Sequence, residues 1–319
     1  MATVPTSLRA GRRFGDRIGD LLLHVVTAAA AAGSVVLIGA IAYKVADGSS
    51  LSFSKFGLGF IVHEAWDPVK NHFGALSFLF GTAVTSFIAL LIATPLAIGI
   101  ALYLTELAPR FLRETIGALV EMLAAIPSVI LGLWGLLVLG PFVQDDLEPF
   151  LHSFLGWIPL FSGEPKASGI LPAALVLTIM AVPIVASVAR ELFQSVPAEL
   201  KDGALALGAT RWEMVRGVTI HYTRPGLAAA VILGLGRALG EAIAVTQVIG
   251  DQVGIPKSLF GLGDTVASRI ASQYQGAASN IQISSLFYLA TILLAISIIV
   301  NFGAQLVVRR FEFQHTGGT

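Results

Sequence analysis

Six segments of the 319-residue chain are long and apolar enough to cross the hydrocarbon core of a membrane. Each crossing needs about 20 residues, because the segment must satisfy its own backbone polar groups within a helix. Hydrophobic residues make up 55% of the chain and charged residues only 13%, against about 25% charged residues in soluble domains. The sequence therefore predicts an all-α integral membrane protein with six transmembrane helices, near residues 21–45, 75–104, 115–140, 169–193, 225–249 and 281–308.

The distribution of Lys and Arg predicts the orientation of these helices. Basic residues collect in the cytoplasmic loops of membrane proteins. Thirteen of them fall on one side of the predicted helices and five or six on the other. This excess places both termini in the cytoplasm, together with the loop 194–224. We therefore divide the chain into a cytoplasmic segment 1–20, a single membrane domain 21–310 and a cytoplasmic tail 311–319.

Several functional classes are disfavoured by what the sequence lacks. There is no Cys, so thiol catalysis and Cys-ligated metals are excluded. The six His residues show no metal-ligand spacing, and no nucleophile–base pattern of an enzyme is visible. A phosphate-cradling loop ending in Gly-Lys-Ser/Thr is also absent. We predict no catalytic site, metal or cofactor, and any ATP hydrolysis would occur in another chain.

The polar segment after the fourth predicted helix has the pattern of a short helix. Pro197 stands at a helix-start position, helix formers follow over 198–207, and Gly208 supplies a stop. Leu200, Ala204 and Leu207 would share one side, with Lys201, Asp202 and Arg211 nearby. Such a helix at the membrane surface suits docking into a groove of another protein.

Two charged residues lie near the middle of the fifth predicted helix. Arg237 and Glu241 are about 18 Å from its cytoplasmic start, and their i, i+4 spacing lets them pair on one face. Gly234, Gly236 and Gly240 permit close approach of a helix or a ligand. A structural ion pair between helices is the alternative, but ionisable groups inside membranes generally face a pathway.

A third charged residue, Glu121, precedes a predicted helix bend. Pro127 should kink that helix, and Ser128 would line the bend. Glu121 would either face a pathway or pair with an Arg nearer the cytoplasm.

An Arg–Glu pair at the membrane midplane suits an oxyanion that carries a proton. The guanidinium offers a planar fork of donors to the oxygens of phosphate, sulfate or carboxylate. The carboxylate accepts a hydrogen bond from the P–OH of hydrogen phosphate but repels fully deprotonated sulfate. Because one Arg cannot neutralise a divalent anion, we expect a second basic group from a partner subunit.

The polar segment resembles the EAA loop of ABC importer permeases. Asp202, Gly203 and Ala204 stand at the Glu-Ala-Ala positions, and Gly208 matches the motif's Gly. The motif departs by Asp for Glu, Gly for Ala and His221 for Pro, which leaves the seating of the helix open. Three further stretches are similar to the PstC-type permeases of phosphate importers; they are 125–135, 171–213 and 236–241.

The resemblance implies a type I ABC importer permease fold with a cytoplasmic coupling helix. It also implies a bacterial inner membrane location and inorganic phosphate as substrate. The expected partners are a PstA-like permease in a heterodimer, a PstB-like ATPase dimer and a PstS-like phosphate-binding protein. The residues expected at the ATPase are Glu199, Asp202, Gly203, Ala204, Gly208 and Arg211, and those expected along the substrate pathway are Arg237, Glu241, Glu121 and Ser128.

Three alternatives remain open at the level of sequence. One is an ABC permease for another oxyanion, which Glu241 disfavours if that anion carries no proton. Another is a secondary transporter in which Glu121 or Glu241 carries protons, but it leaves the short helix unexplained. A membrane scaffold or phosphate-sensing role, alone or added to transport, is the third.

Overall fold

The computed structural model describes residues 14–313, with side chains described from 19 to 306. The predicted cytoplasmic segment 1–20 and tail 311–319 therefore lie largely outside the described residues. The described chain is built mainly of helices. In order they are α1 Phe14–Gly48, α2 Ser50–Phe56, α3 Gly59–Val62, α4 Leu76–Leu102, α5 Arg110–Ala124, α6 Ser128–Trp134, α7 Gly140–Phe142, α8 Glu148–Leu155, α9 Ile170–Gln194, α10 Ala198–Ala206, α11 Arg211–Met214, α12 Ile220–Gly240, α13 Ile243–Val248, α14 Val266–Gln273 and α15 Asn280–Phe313.

Shorter elements connect or extend these helices. Strands β1 (Trp66–Asp67) and β2 (His72–Phe73) form an antiparallel hairpin in which Trp66 faces Phe73. A 3-10 turn covers Pro159–Phe161, and π-helical turns prolong or join helices at Tyr103–Leu107, Gly135–Leu139, Val143–Leu147 and Val215–Thr219.

Within the described residues, five helical segments are long and apolar enough to cross a membrane. They are Gly19–Gly48, Leu76–Leu107, Ser128–Leu155, Ile170–Gln194 and Asn280–Leu306. The six-helix prediction is compatible with this architecture, but its third and fifth helices differ from the structure. The third, predicted at 115–140, is interrupted before Ser128, and the fifth, predicted at 225–249, is interrupted after Gly240.

The two interruptions differ in their causes. Pro127 does not kink a continuous helix, as predicted, but adopts an extended conformation (φ −58°, ψ 137°) and precedes α6. A proline has no N–H to donate to α5, so the chain restarts its helix at Ser128. Glu241 is likewise extended (ψ 115°) and separates α12 from α13. The hydropathy of the sequence reveals neither break, because both are flanked by apolar residues.

The described chain forms two units that divide after Asp47. The first consists of α1 and is apolar along most of its length, with a mean hydropathy of 2.2 over its best window. In the second, α4, α9 and α12 pack closely around small side chains. Fully or almost fully buried alanines line this contact; they are Ala93, Ala97, Ala181, Ala186 and Ala230. Small residues let helix backbones approach one another, which strengthens dispersion contacts inside a membrane.

A buried cluster of charges ties the loop after α13 to α14. Arg269 is 3.0 Å from an oxygen of Asp251 and 2.6 Å from an oxygen of Asp264. The side chains of Arg269 and Asp264 are 4% and 0% exposed. The Arg269 guanidinium and the Asp264 carboxylate form an ion pair, but their atoms are not aligned for a hydrogen bond. The guanidinium also lies 4.9 Å from the centre of the Phe78 ring on α4.

Candidate functional site

The predicted pair of Arg237 and Glu241 forms at the end of α12. Arg237 Nη2 lies 3.1 Å from Glu241 Oε2, and the side chains are 44% and 4% exposed. The other Glu241 oxygen accepts a hydrogen bond of 3.2 Å from the backbone N–H of Ala244. Glu241 is thus held by both of its oxygens, while the half-exposed guanidinium keeps donors available.

The Arg237 side chain lines a cavity of about 170 Å³. Its walls come from the break between α5 and α6, from Met180 and Ile184 on α9, and from Arg237 itself. The residues contributed by the break and its flanks are Leu123, Ala124, Ile126 and Leu131. Arg237 supplies a charged group to this cavity, and the other side chains that line it are apolar.

The glycines around Arg237 serve two different purposes. A Cβ on Gly234 would lie 2.8 Å from Val185 Cγ2, so this glycine lets α12 approach α9 closely. A Cβ on Gly236 or Gly240 would meet nothing within 4 Å. The flank of α12 that carries Gly236 and Gly240, next to Arg237, therefore leaves open space, whereas the flank that carries Gly234 is packed against α9.

The helices that follow the two breaks, α6 and α13, contact each other. A Cβ on Gly132 would lie 2.8 Å from Ala244 Cα, so the two helices are in direct contact. Gln247 Nε2 donates a long hydrogen bond of 3.4 Å to the carbonyl of Val129. Ser128, predicted to line the bend, is the first residue of α6 and is half-buried. Gln247 is not among the residues predicted from the sequence, although a polar residue in an apolar stretch is a signal that points to it.

Glu121 is placed differently from the Arg237 pair. It forms an ion pair with Arg190 of α9, and the side chains are 58% and 21% exposed. Gly117, one turn earlier on α5, provides room for the guanidinium, because a Cβ there would collide with Arg190 Nη1. This contact matches the alternative in which Glu121 pairs with an Arg.

The short helix predicted after the fourth span is confirmed as α10. Pro197 precedes it, and Gly208 follows with a φ of +91°, in the region that favours glycine. The hydroxyl and N–H of Thr210 and the carboxylate and N–H of Glu213 then form a reciprocal capping box at the start of α11. These bonds hold the pKa of Glu213 below its usual range. The segment is therefore ordered at both ends.

The surface of α10 and α11 is apolar at several exposed positions. Large side chains stand out from it: Leu200 is 47%, Leu205 38%, Leu207 91% and Trp212 66% exposed. Glu199, Asp202 and Gly203 are exposed and Ala204 is half-buried. Asp202 and Arg211 also line a cavity of about 210 Å³ behind the helix, together with Glu106 and Lys201. The latter two residues were not among the sequence-predicted site residues.

Comparison with known proteins identifies the family. The model of a family described as "Binding-protein-dependent transport system inner membrane component" matches residues 93–313. This chain belongs to that family. The match spans α4 to α15 and so includes the breaks, the Arg237 pair and α10.

Relatives within this family place the chain among its PstC-type permeases. The "Phosphate transport system permease protein PstC" of Mesorhizobium japonicum is 44% identical, over 94% of this chain and 93% of the relative. The protein of the same name from Pasteurella multocida is 43% identical, over 94% of this chain and 95% of the relative. The predicted membership of this permease family is thereby confirmed.

Solved structures of ABC transporters share the fold. A chain of a bacterial alginate ABC transporter in complex with its alginate-bound periplasmic protein aligns with a TM-score of 0.59 and 18% identity. The alignment covers 94% of this chain and 98% of that one. A chain of an inward-facing MetNI methionine ABC transporter aligns with a TM-score of 0.51 and 20% identity, over 80% and 97% of the two chains. The predicted ABC importer permease fold is confirmed.

Proposed function

We propose that this chain is a membrane permease subunit of an ATP-driven importer of inorganic phosphate. The observation that carries the substrate assignment is the buried Glu241 carboxylate, held beside the half-exposed Arg237 at the end of α12. The family membership and the names of the PstC relatives support the same assignment.

The Arg–Glu pair has the chemistry of a filter for protonated oxyanions. Hydrogen phosphate offers oxygens to the guanidinium and a P–OH proton to the carboxylate, whereas sulfate offers only oxygens at neutral pH. A carboxylate has about four acceptor positions, and Glu241 uses one for Arg237 and one for Ala244. An acceptor therefore remains for the phosphate proton, while an anion without a proton is repelled.

The pathway would be completed by a homologous, PstA-like permease. This partner would face Gly236, Arg237 and Gly240, where the present chain leaves open space. The partner would also supply the second basic group that a divalent anion requires. Ser128 would line the path at the break, and Glu121, although paired with Arg190, would stand near its cytoplasmic end.

Energy would reach the pathway from a PstB-like ATPase dimer docked on α10. The exposed leucines of α10 and Trp212 supply the apolar contact surface, and Glu199, Asp202 and Arg211 supply charge. A PstS-like binding protein would deliver phosphate to the opposite face. In this proposal, α10 and both termini would lie in the cytoplasm of a bacterial cell, with the chain in its inner membrane.

The proposal is tested by uptake of labelled phosphate into liposomes that contain the purified complex. Uptake should require ATP, should resist excess sulfate, and should be lost or become sulfate-sensitive in Glu241→Gln. Glu164→Gln provides a matched control, since it makes the same change at an exposed position between α8 and α9. We expect the control to behave like the wild type.

Other results would favour the remaining alternatives. Uptake without ATP would indicate a secondary transporter. Competition by sulfate in the wild type would indicate a permease of broader oxyanion specificity. Unchanged selectivity in Glu241→Gln would refute the role assigned to the carboxylate.

A further inference from the structure

A single lysine joins the inner side of α10 to two long helices of the core. Lys201 Nζ lies 2.6 Å from Glu106 Oε1 and donates a hydrogen bond of 3.1 Å to the carbonyl oxygen of Phe193. Glu106 belongs to the π-helical turn that prolongs α4, and Phe193 to the last turn of α9. One ammonium group thus connects three segments that are far apart in the sequence.

The low burial of α10 shows that its attachment to the core depends on this contact. None of its residues is buried, and only Lys201 and Ala204 are even half-buried. The side chains of Lys201 and Glu106, by contrast, are only 18% and 12% exposed. Because little apolar surface of α10 is covered, the ion pair and the hydrogen bond of Lys201 are directional contacts that hold this helix to the core. An ion pair that is shielded from water is also weakened less by salt than an exposed one.

The two helices joined by Lys201 lead directly to the candidate site. Just beyond the joint, Ala101 of α4 and Phe193 of α9 belong to a buried cluster with Leu227 of α12. Ten residues farther along α12 lies Arg237. A displacement of Lys201 is therefore passed to α4 and α9, and through their packed contact to the helix that carries Arg237.

We propose that Lys201 and Glu106 transmit the movement of α10 to the pathway helices. This inference rests on the proposed function, in which α10 receives the movement of an ATPase. The two residues are positioning residues, since neither lines the cavity at Arg237. Without the pair, α10 would still dock on the ATPase through its exposed face, but its movement would no longer be tied to α4 and α9.

The test compares phosphate uptake with ATP hydrolysis in the reconstituted complex. Lys201→Met keeps most of the length of the side chain and removes the ammonium group. We expect uptake per ATP hydrolysed to fall about fivefold or more, the lower end of the range for coupling between sites. Glu106→Gln should lower the same ratio with less disturbance of folding. Lys257→Met, at an exposed position after α13, is the matched control and should leave the ratio unchanged.

Exchange of the two charges separates the link from a general structural role. The double variant Lys201→Glu with Glu106→Lys restores an ion pair, so it should recover part of the lost ratio. Subunit stoichiometry after purification reports assembly in each variant. An unchanged ratio in Lys201→Met and Glu106→Gln would overturn the inference. Loss of the ATPase subunit, or a proportional fall of uptake and hydrolysis without recovery in the exchanged pair, would also overturn it. Failure of the proposed function would appear separately, as a wild-type complex without ATP-dependent phosphate uptake.

Discussion

Two glycines on α12, two positions apart, should respond in opposite ways to the same substitution. Gly234 faces α9, and Gly236 lies on an open flank of the helix next to Arg237. Valine at Gly234 should destabilise the packing of the helices. Valine at Gly236 should leave stability almost unchanged but should reduce uptake, because its side chain fills space beside Arg237.

The magnitude follows from the contacts at each position. A Cβ on Gly234 would lie 2.8 Å from Val185 Cγ2 and 3.4 Å from Leu90 Cδ2. Carbon atoms normally pack about 3.5–4.0 Å apart, so α12 or Val185 must move by roughly 1 Å. Overpacking of this kind costs about 1–3 kcal/mol, and the better helix propensity of Val over Gly returns about 0.3 kcal/mol. We expect Gly234→Val to destabilise the chain by about 1–2.5 kcal/mol and Gly236→Val by less than about 0.5 kcal/mol.

Both effects are measurable on purified material. Thermal unfolding of the detergent-solubilised chain reports stability, and uptake by the reconstituted complex reports the pathway. Gly234→Val should lower the unfolding midpoint by roughly 2–4 °C per kcal/mol, and Gly236→Val should not lower it. The reasoning is refuted if Gly236→Val destabilises the isolated chain as much as Gly234→Val. Full uptake in Gly236→Val would contradict the placement of the pathway beside Arg237.

Three further predictions address the site, the coupling segment and the outer charges. Arg237→Ala should abolish phosphate uptake while the complex still assembles, and normal uptake at normal protein levels would refute this. Gly208→Leu forces a non-glycine residue into a φ of +91°, so it should cost about 1–2 kcal/mol of stability and uncouple ATP hydrolysis from uptake. Gly203→Ala, at an open helical position, is the control and should change neither stability nor coupling. Burial outweighs the attraction of Arg269 and raises the pKa of Asp264 from 3.8 to about 6. Since folding then favours the protonated acid, stability should fall as the pH rises from about 4 to 6, and Asp264→Asn should remove this dependence in pH-resolved thermal unfolding.

The local features of the chain were predictable because their causes are local. Hydropathy indicates the apolar helices, since each must satisfy its backbone and cover it with apolar side chains. Helix formers between Pro197 and Gly208 indicate α10 by the same kind of short-range rule. The pairing of Arg237 with Glu241 follows from helical geometry alone, because residues four apart share a face.

The interruptions of the predicted helices were only partly predictable. A kink at Pro127 was expected, but the chain there forms a complete break. The break at Glu241 follows Gly240 and has no proline, so the sequence signal is weaker than at Pro127. It goes with a carboxylate that binds the N–H of Ala244 and with the close contact between α6 and α13. Such competition between a side chain and the helical hydrogen bonds depends on the surrounding packing.

The amino-acid sequence by itself determined the membrane class, the family, the position of α10 and the Arg–Glu pair, all of which depend on short-range pattern and resemblance. Only the tertiary structure decided which distant residues meet. It paired Glu121 with Arg190, placed the helix break beside Arg237, and joined Lys201 to Glu106. The physical reason is that long charged side chains take whichever partner the packed helices bring within reach, and no periodicity along the chain encodes that choice.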